Sequence, residues 1–308
     1  VTEPVLPLLH NWWAHDADAR FGERVEAAYA VARHRVLDRQ ALRPLPPTPA
    51  GLRALVAVEF EEPAGEVTAL RSLRWLGKID VLAGMLRPGD RVADCGCGLG
   101  TEAIAFALAG ADVIAVDLHP ANLRVVEMRA RLYGEAFGVD LAGRVTPVAA
   151  HLPRYEPPHT LDHVWSHESI EHIVPRDVFL RRVPSWLAPG GEAVVWNDNA
   201  RNPVRLIHTV VERRGLRAPV FERRDPADGS PVEYAHEAIT AAGRVARLLA
   251  EGGCCSVEVR YANVVPSRLA RTRALGRVAG RAERLARVPA VRAVVGGDYC
   301  VVGRTTAP

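Results

Sequence analysis

The feature that most constrains the fold lies between Arg91 and Asp117. A short apolar run, Arg91–Cys95 (RVADC), gives way to Gly96-Cys97-Gly98-Leu99-Gly100. A segment of helical period then reaches Leu108, and a second apolar run, Asp112–Asp117 (DVIAVD), follows. Three glycines at alternate positions mark a strand-to-helix turn. Backbone approaches a ligand closely at such a turn, where side chains would obstruct it. The alternation continues downstream. Residues 120–132 read as a helix, Val145–Ala149 and 161–166 as strands, and 193–197 (AVVWN) as a strand after a helix ending at Leu187. Pro120 in a first helical turn and Pro189-Gly190-Gly191 just past a helix end are the expected punctuation. Strands alternating with helices predict a parallel sheet covered on both faces.

Beyond Asn199 the pattern dissolves into Arg, Pro and Gly as far as His236, which reads as an insertion. Helix resumes over 237–250, strand over Ser256–Ala262, an arginine-rich helix over 267–292, and a closing strand over 298–303 (DYCVVG). Residues 1–88 differ in composition. Phe21, Val25, Ala28, Tyr29, Ala32 and Val36 share one helical stripe, capped by Asp16 or Asp18. Arg43-Pro44-Leu45-Pro46-Pro47-Thr48-Pro49 is a stiff linker, and a second helix spans about 66–86. The expected architecture is α/β: a doubly wound, mostly parallel seven-strand sheet over 89–308 behind an N-terminal helical cap, 1–88. Insertions are expected near 200–235 and 265–296.

Composition narrows the class. With 308 residues, 48% apolar and 24% charged, the chain is long enough for a sizeable core without disulfides. No stretch reaches the roughly 18 uninterrupted apolar residues of a membrane span. The opening VTEPVLPLLHNWW has no basic region or cleavage site. Five cysteines, an odd number, fit free thiols in a reducing cytoplasm. A cytoplasmic protein is expected. The net charge is only +3, but 38 of the 39 basic residues are arginine, Lys78 being the exception, which fits a GC-rich, bacterial genome. Arginine clusters therefore carry less meaning here.

The glycine loop can be tested against known phosphate and nucleotide loops. A dinucleotide fingerprint needs a third glycine at the position of Thr101, and a P-loop needs a lysine that this region lacks. The spacing that fits is acidic-x-Gly-x-Gly-x-Gly, headed by Asp94. Asp117, at the end of the next strand, is at the distance from which a carboxylate accepts both ribose hydroxyls of an adenosine. These residues resemble the class I S-adenosylmethionine (SAM) methyltransferases over about 91–200 and, more weakly, to Gly303. Leu161-Asp162-His163-Val164-Trp165-Ser166 with Ile170-Glu171-His172-Ile173 is similar to that family's fourth strand and the Glu-His pair after it. Leu187-Ala188-Pro189-Gly190-Gly191 is similar to its turn into the fifth strand. The resemblance implies that Asp94 and the backbone of Gly96, Cys97, Gly98 and Gly100 hold the methionine part of SAM. It implies that Asp117 and Leu118 hold the ribose side, and that Ala150 and His151 flank the adenine. Many relatives carry Asp where Ala150 or His151 stands; His151 can stack or donate instead.

His163, His167, Glu168, Glu171 and His172 crowd one segment, but neither HExxH nor HxxEH spacing is met, because Glu171 and Glu168 stand where histidines are required. Cys95 and Cys97 lack a second ligand pair, so no metal is expected. His167 and Glu168 directly follow the fourth strand, at the carboxyl edge where open α/β sheets hold their chemistry. His167 is the candidate proton acceptor and also a candidate cofactor contact, with Glu168 and His172 as alternative proton acceptors. Asn197 leaves the fifth strand at the same edge, with turn chemistry its other reading. The stripe Arg273, Arg277, Arg281 and Arg284 could meet an anionic partner or be a solvated face. His10, Trp12, Trp13 and His15 either anchor a helix or roof a pocket. The expected function is methyl transfer from SAM to a small-molecule acceptor, such as a natural-product or sugar intermediate. No nucleic-acid partner is expected, and a homodimer is compatible with the sequence. The alternatives are a non-catalytic SAM-binding protein and a nucleotide-dependent oxidoreductase.

Overall fold

The computed structural model describes residues 85–98, 100–203, 207, 220–235, 240–262, 293–294 and 296–307. The helical cap, the proline linker, the Trp12–Trp13 cluster and the 267–292 arginine stripe lie outside the described residues.

The elements run β1 (Arg91–Cys95), α1 (Thr101–Leu108), β2 (Asp112–Asp117), α2 (Pro120–Phe137), β3 (Val145–Ala149), β4 (Leu161–His167), α3 (Arg176–Trp186) and β5 (Leu187–Asp198). After these come β6 (Val220–Arg224), β7 (Pro231–Ala235), α4 (Ala242–Glu251), β8 (Ser256–Ala262) and β9 (Asp298–Arg304). Seven strands form one sheet in the order β3-β2-β1-β4-β5-β9-β8. The first five pair in parallel, and β9 is antiparallel to both β5 and β8. The doubly wound expectation holds. β1 and β2 are buried almost end to end, as central strands covered on both faces must be.

Two cores flank the sheet. On one face Ile104 and Phe106 of α1 and Leu123 and Val126 of α2 pack on Val92, Trp165 and Trp196. On the other, Phe179, Leu180 and Val183 of α3 and Val245 and Leu248 of α4 pack on Ala93, Val164, Val195 and Val301. Burying one such aliphatic side chain contributes about 1.5–3 kcal/mol, so each helix is fixed to the sheet by several anchors. Among the described residues no helix is long and apolar enough to cross a membrane, and all five cysteines are free.

Three departures from the sequence reading have local causes. α2 continues five residues past Leu132 and stops where Gly138 adopts a left-handed conformation at φ 66°. β5 begins at Leu187 rather than Ala193: Leu161 pairs Leu187 and His163 pairs Glu192, so a bulge absorbs the Pro-Gly-Gly segment within the strand. The segment read as an insertion contains a hairpin, β6–β7, joined to the main body by an antiparallel bridge between Ile173 and Tyr234.

The strand order positions the site. The chain winds outward from β1 through β2 to β3, then returns to β4 on the other side of β1. The crevice above the carboxyl ends of β1 and β4 is the topological switch point, where open α/β sheets bind ligands.

Candidate active site

A pocket of about 890 Å³, its open mouth included, occupies that crevice. Small-molecule sites usually span about 300–1,000 Å³. Its floor is the glycine loop. The N–H groups of Gly96 and Cys97 both donate to the Val116 carbonyl, at 2.8 and 3.0 Å, tying the loop to β2. Gly98 has φ +52°, which a β-branched residue does not adopt, and a Cβ there would meet nothing within 4 Å. Gly98 therefore presents bare backbone to the pocket. Gly100 does something different. A Cβ on it would come within 2.7 Å of Val126 Cγ2, so it permits close packing of loop on helix and does not line the pocket.

Asp117 closes the β2 side. It is buried, and its carboxylate accepts from the Gly98 N–H at 2.9 Å, the His119 N–H at 2.8 Å and Asn122 Nδ2 at 3.2 Å. Burial raises its pKa, and these hydrogen bonds pull in the opposite direction. Asp94, at the end of β1, is only 2% exposed, and its Oδ2 has no hydrogen-bond partner. Burial and then the nearby Glu102 raise its pKa well above the usual carboxylate value, while His167 and the Ala103 N–H lower it.

Residues 93–195 match the family model described as a methyltransferase domain. That span starts in β1 and ends in β5, and so contains the glycine loop, Asp117 and the β4 edge. This part of the chain is similar to the class I methyltransferases. It is 34% identical over 158 residues to a ubiquinone biosynthesis O-methyltransferase of Bordetella parapertussis, covering 51% of this chain and 62% of that protein. A protein of the same name from Xanthomonas campestris pv. campestris is 37% identical over 131 residues, covering 42% of this chain and 52% of its own length. The aligned region thus spans less than two thirds of these curated relatives. The solved structure of Haemonchus contortus phosphoethanolamine N-methyltransferase 2, in complex with S-adenosyl-L-methionine, matches 90% of this chain and 60% of its own at TM-score 0.50 and 18% identity. That likeness shows a shared fold.

The adenine-side candidates Leu118, Ala150 and His151 line the pocket beside Asp117. His151 Nε2 donates to the Val174 carbonyl at 2.8 Å, so its Nδ1 is the acceptor nitrogen, and Nδ1 is buried without a partner. Burial lowers the His151 pKa, keeping the ring neutral. Cys97 lines the pocket, but burial, then the nearby Asp117, raises its thiol pKa well above the ordinary value, so it offers no thiolate.

At the β4 end, His167 and Glu168 also line the pocket. His167 Nδ1 meets the Glu102 carboxylate, and its Nε2 lies 3.6 Å from Glu168 Oε1. Glu168 has φ +45°, the one positive φ outside glycine among the described residues, and its N–H donates to Trp196 at 2.9 Å. Held strain of this kind costs about 1–3 kcal/mol and clusters at functional sites. His172 reaches the pocket as well, yet its ring is committed to the hairpin. Nδ1 donates to the Ala235 carbonyl at 3.0 Å, and the ring stacks on Tyr234 with centroids 5.7 Å apart. That arrangement suits a buttress better than a proton carrier.

Asn197 is not in the pocket lining. It is cross-strand partner to Tyr299, on the sheet face covered by α3 and α4, and both of its side-chain polar atoms are buried without partners. Sequence reasoning put it at the carboxyl edge of the sheet, but the strand's alternation turns Trp196, not Asn197, toward α1. Sequence reasoning also missed Glu102, His119, Asn122 and Tyr234, all of which line the pocket. An acid in the first turn of a helix reads as a dipole contact, so nothing flagged Glu102. The hairpin that brings Tyr234 gave no strand signal.

Proposed function

We propose that this protein transfers a methyl group from SAM to a small-molecule acceptor. The observation that carries the reading is the charge of the pocket. Asp94, Glu102, Asp117, Glu168 and Glu233 line it, and among its described lining residues there is no arginine or lysine, in a chain with 39 basic residues. Such a pocket repels the pyrophosphate of a dinucleotide and suits a ligand bearing positive charge. The partnerless Asp94 Oδ2 and His151 Nδ1 fit SAM: a buried carboxylate oxygen for its ammonium, and a neutral acceptor nitrogen for the adenine amino group.

Asp117, with acceptor capacity left beyond its three internal hydrogen bonds, holds the ribose hydroxyls, and the Gly98 backbone bounds the methionine chain. When bound, SAM supplies an electrophilic methyl: the acceptor heteroatom bonds to that carbon as the S–C electron pair returns to sulfur. His167 takes the acceptor's proton on Nε2, its Nδ1 being held by Glu102. Positioning of the two reactants supplies about 7–11 kcal/mol of the acceleration, and a base adds about 10²- to 10⁴-fold. The acceptor approaches from the β4 end, beside Glu168, since the β2 end is taken up by the nucleoside. A natural-product or sugar intermediate with a free hydroxyl or amine fits that reading.

The test is titration calorimetry with SAM, S-adenosylhomocysteine and NAD. Binding of the first two and none of the third is expected. Binding of NAD alone would transfer the pocket to dinucleotide chemistry.

A further inference from the structure

One wall of the pocket comes from outside the alternation of strands and helices. Glu233 and Tyr234 of β7 line the pocket, although their hairpin belongs to the segment after β5. Tyr234 is only 6% exposed, and its ring is engaged on two sides of the crevice. It stacks on His172, beyond β4, with centroids 5.7 Å apart and planes 15° from parallel. It meets His119, beyond β2, edge-on at 6.1 Å. β2 and β4 are not neighbours, because β1 lies between them, and at the usual strand spacing this sets them roughly 10 Å apart. A side chain that touches the loops beyond both strands therefore crosses the crevice above β1 and its glycine loop. The hairpin reaches the loop beyond β3 as well: Arg154 bonds Ser230 and lies 3.5 Å from Asp225.

The hairpin is held far more lightly than the main sheet. A two-stranded hairpin has little stability of its own, β6 is exposed along most of its length, and Val220 and Phe221 are large apolar side chains open to solvent. Its ties to the body include the Tyr234 ring and a main-chain pair at 3.0 Å, in which the Ala235 N–H donates to the His172 carbonyl. Segments with few buried apolar contacts open locally at a fraction of the cost of global unfolding. We propose that the β6–β7 hairpin is a gate on the pocket, with Tyr234 as its crossbar. An adenosyl ligand lying on the glycine loop is held beneath the ring and leaves only when Tyr234 parts from His119 and the hairpin lifts. The inference rests on the methyl-transfer reading for the identity of that ligand. Tyr234 is then a positioning residue that sets how long the ligand stays, and the gate puts product release, a step that often limits turnover, under control of the hairpin.

The experiment measures release directly on the full chain. Protein loaded with radiolabelled S-adenosylhomocysteine is mixed with excess unlabelled ligand, and the label still bound is followed over time. Tyr234→Ala, which removes both ring contacts, should release the ligand about tenfold faster than wild type, with association no slower. Tyr234→Phe keeps the ring and should stay within about threefold of the wild-type release rate. A Tyr234→Ala release rate equal to wild type overturns the proposal, and so does a loss of affinity that lies wholly in association. Hydrogen exchange of the wild-type protein gives a second reading that needs no variant. The Ala235 amide should exchange faster than the amides of β1 and β4 in the free protein, and should slow at least about tenfold when S-adenosylhomocysteine is bound. Exchange there that ignores the ligand also overturns the gate. If the wild-type protein binds no adenosyl ligand, the methyl-transfer reading fails and the gate with it, a result distinct from bound ligand released at an unchanged rate.

Discussion

The two ends of the pocket are built on opposite principles. At the β2 end, the carboxylate and loop that frame the site are matched, since Asp117 accepts three hydrogen bonds and the loop N–H groups of Gly96 and Cys97 donate to a carbonyl, and only Asn122 Oδ1 and His151 Nδ1 are left open. At the β4 end, matching is poor. Glu168 sits at a strained φ, Asp94 Oδ2 has no partner, and just behind the pocket Glu171 Oε2, Asn197 and the Tyr299 hydroxyl are buried without partners. Burial, reinforced by Asp198, pushes the Glu171 carboxyl up to about 8, so it is neutral at pH 7. A frame that must hold the same nucleoside in every turnover benefits from being complete before the ligand arrives. A region that handles a changing charge and a second reactant cannot be complete beforehand. Buried polar groups left unmatched cost about 1–3 kcal/mol each, and that cost is concentrated at the reactive end.

The contrast can be broken at either end. The largest effect is expected at the frame. Gly98→Val places a branched side chain at φ +52°, in space that the ligand shares. It should abolish SAM binding by calorimetry while the circular dichroism spectrum stays that of the folded wild type. Normal binding would mean that the loop does not cradle the cofactor. At the reactive end, His167→Ala should lower kcat by about 10²- to 10⁴-fold with SAM affinity little changed. A fall in affinity with kcat preserved at saturation would move His167 from chemistry into the frame.

The smallest effect concerns stability. The folded-state pKa of Glu171 lies above its unfolded value of 4.5, so between about pH 4.5 and 8 the native state binds the extra proton. By linkage, the contribution of Glu171 is fully favourable below pH 4.5 and is lost as pH rises through 8. Glu171→Gln, which cannot ionise, should therefore raise the Tm by several degrees at pH 8.5 and change it little at pH 5. Equal shifts at both pH values would show that Glu171 is not the neutral buried acid of this account.

The same contrast governs what could be read from the sequence. The frame is written locally. An apolar strand, a glycine turn and an acid at the end of the next strand are contiguous features, and β1, β2 and β3 begin and end where the pattern indicates. The reactive end is assembled from distant segments. Glu102 meets His167 across 65 residues, and Asn197 faces away from the pocket because of strand parity set by pairing with β9. The β6–β7 hairpin escaped for a different reason. β6 is VFERR, exposed along most of its length, so there is no apolar alternation to detect. It is held by contacts at both ends, Arg154 with Asp225 at 3.5 Å at the turn and His172 with the Ala235 carbonyl at 3.0 Å at the open end. Such contacts are invisible until the chain has folded.

The most direct test of the account is the affinity of Asp117→Ala for SAM, measured by titration calorimetry beside the wild type. Asp117 both secures the Gly98 N–H and is assigned the ribose hydroxyls. Charge-assisted hydrogen bonds contribute about 1.5–3 kcal/mol each, and 1.4 kcal/mol is tenfold in affinity. The account predicts binding weakened by roughly 10- to 1,000-fold in a variant that remains folded. Affinity equal to wild type would contradict it.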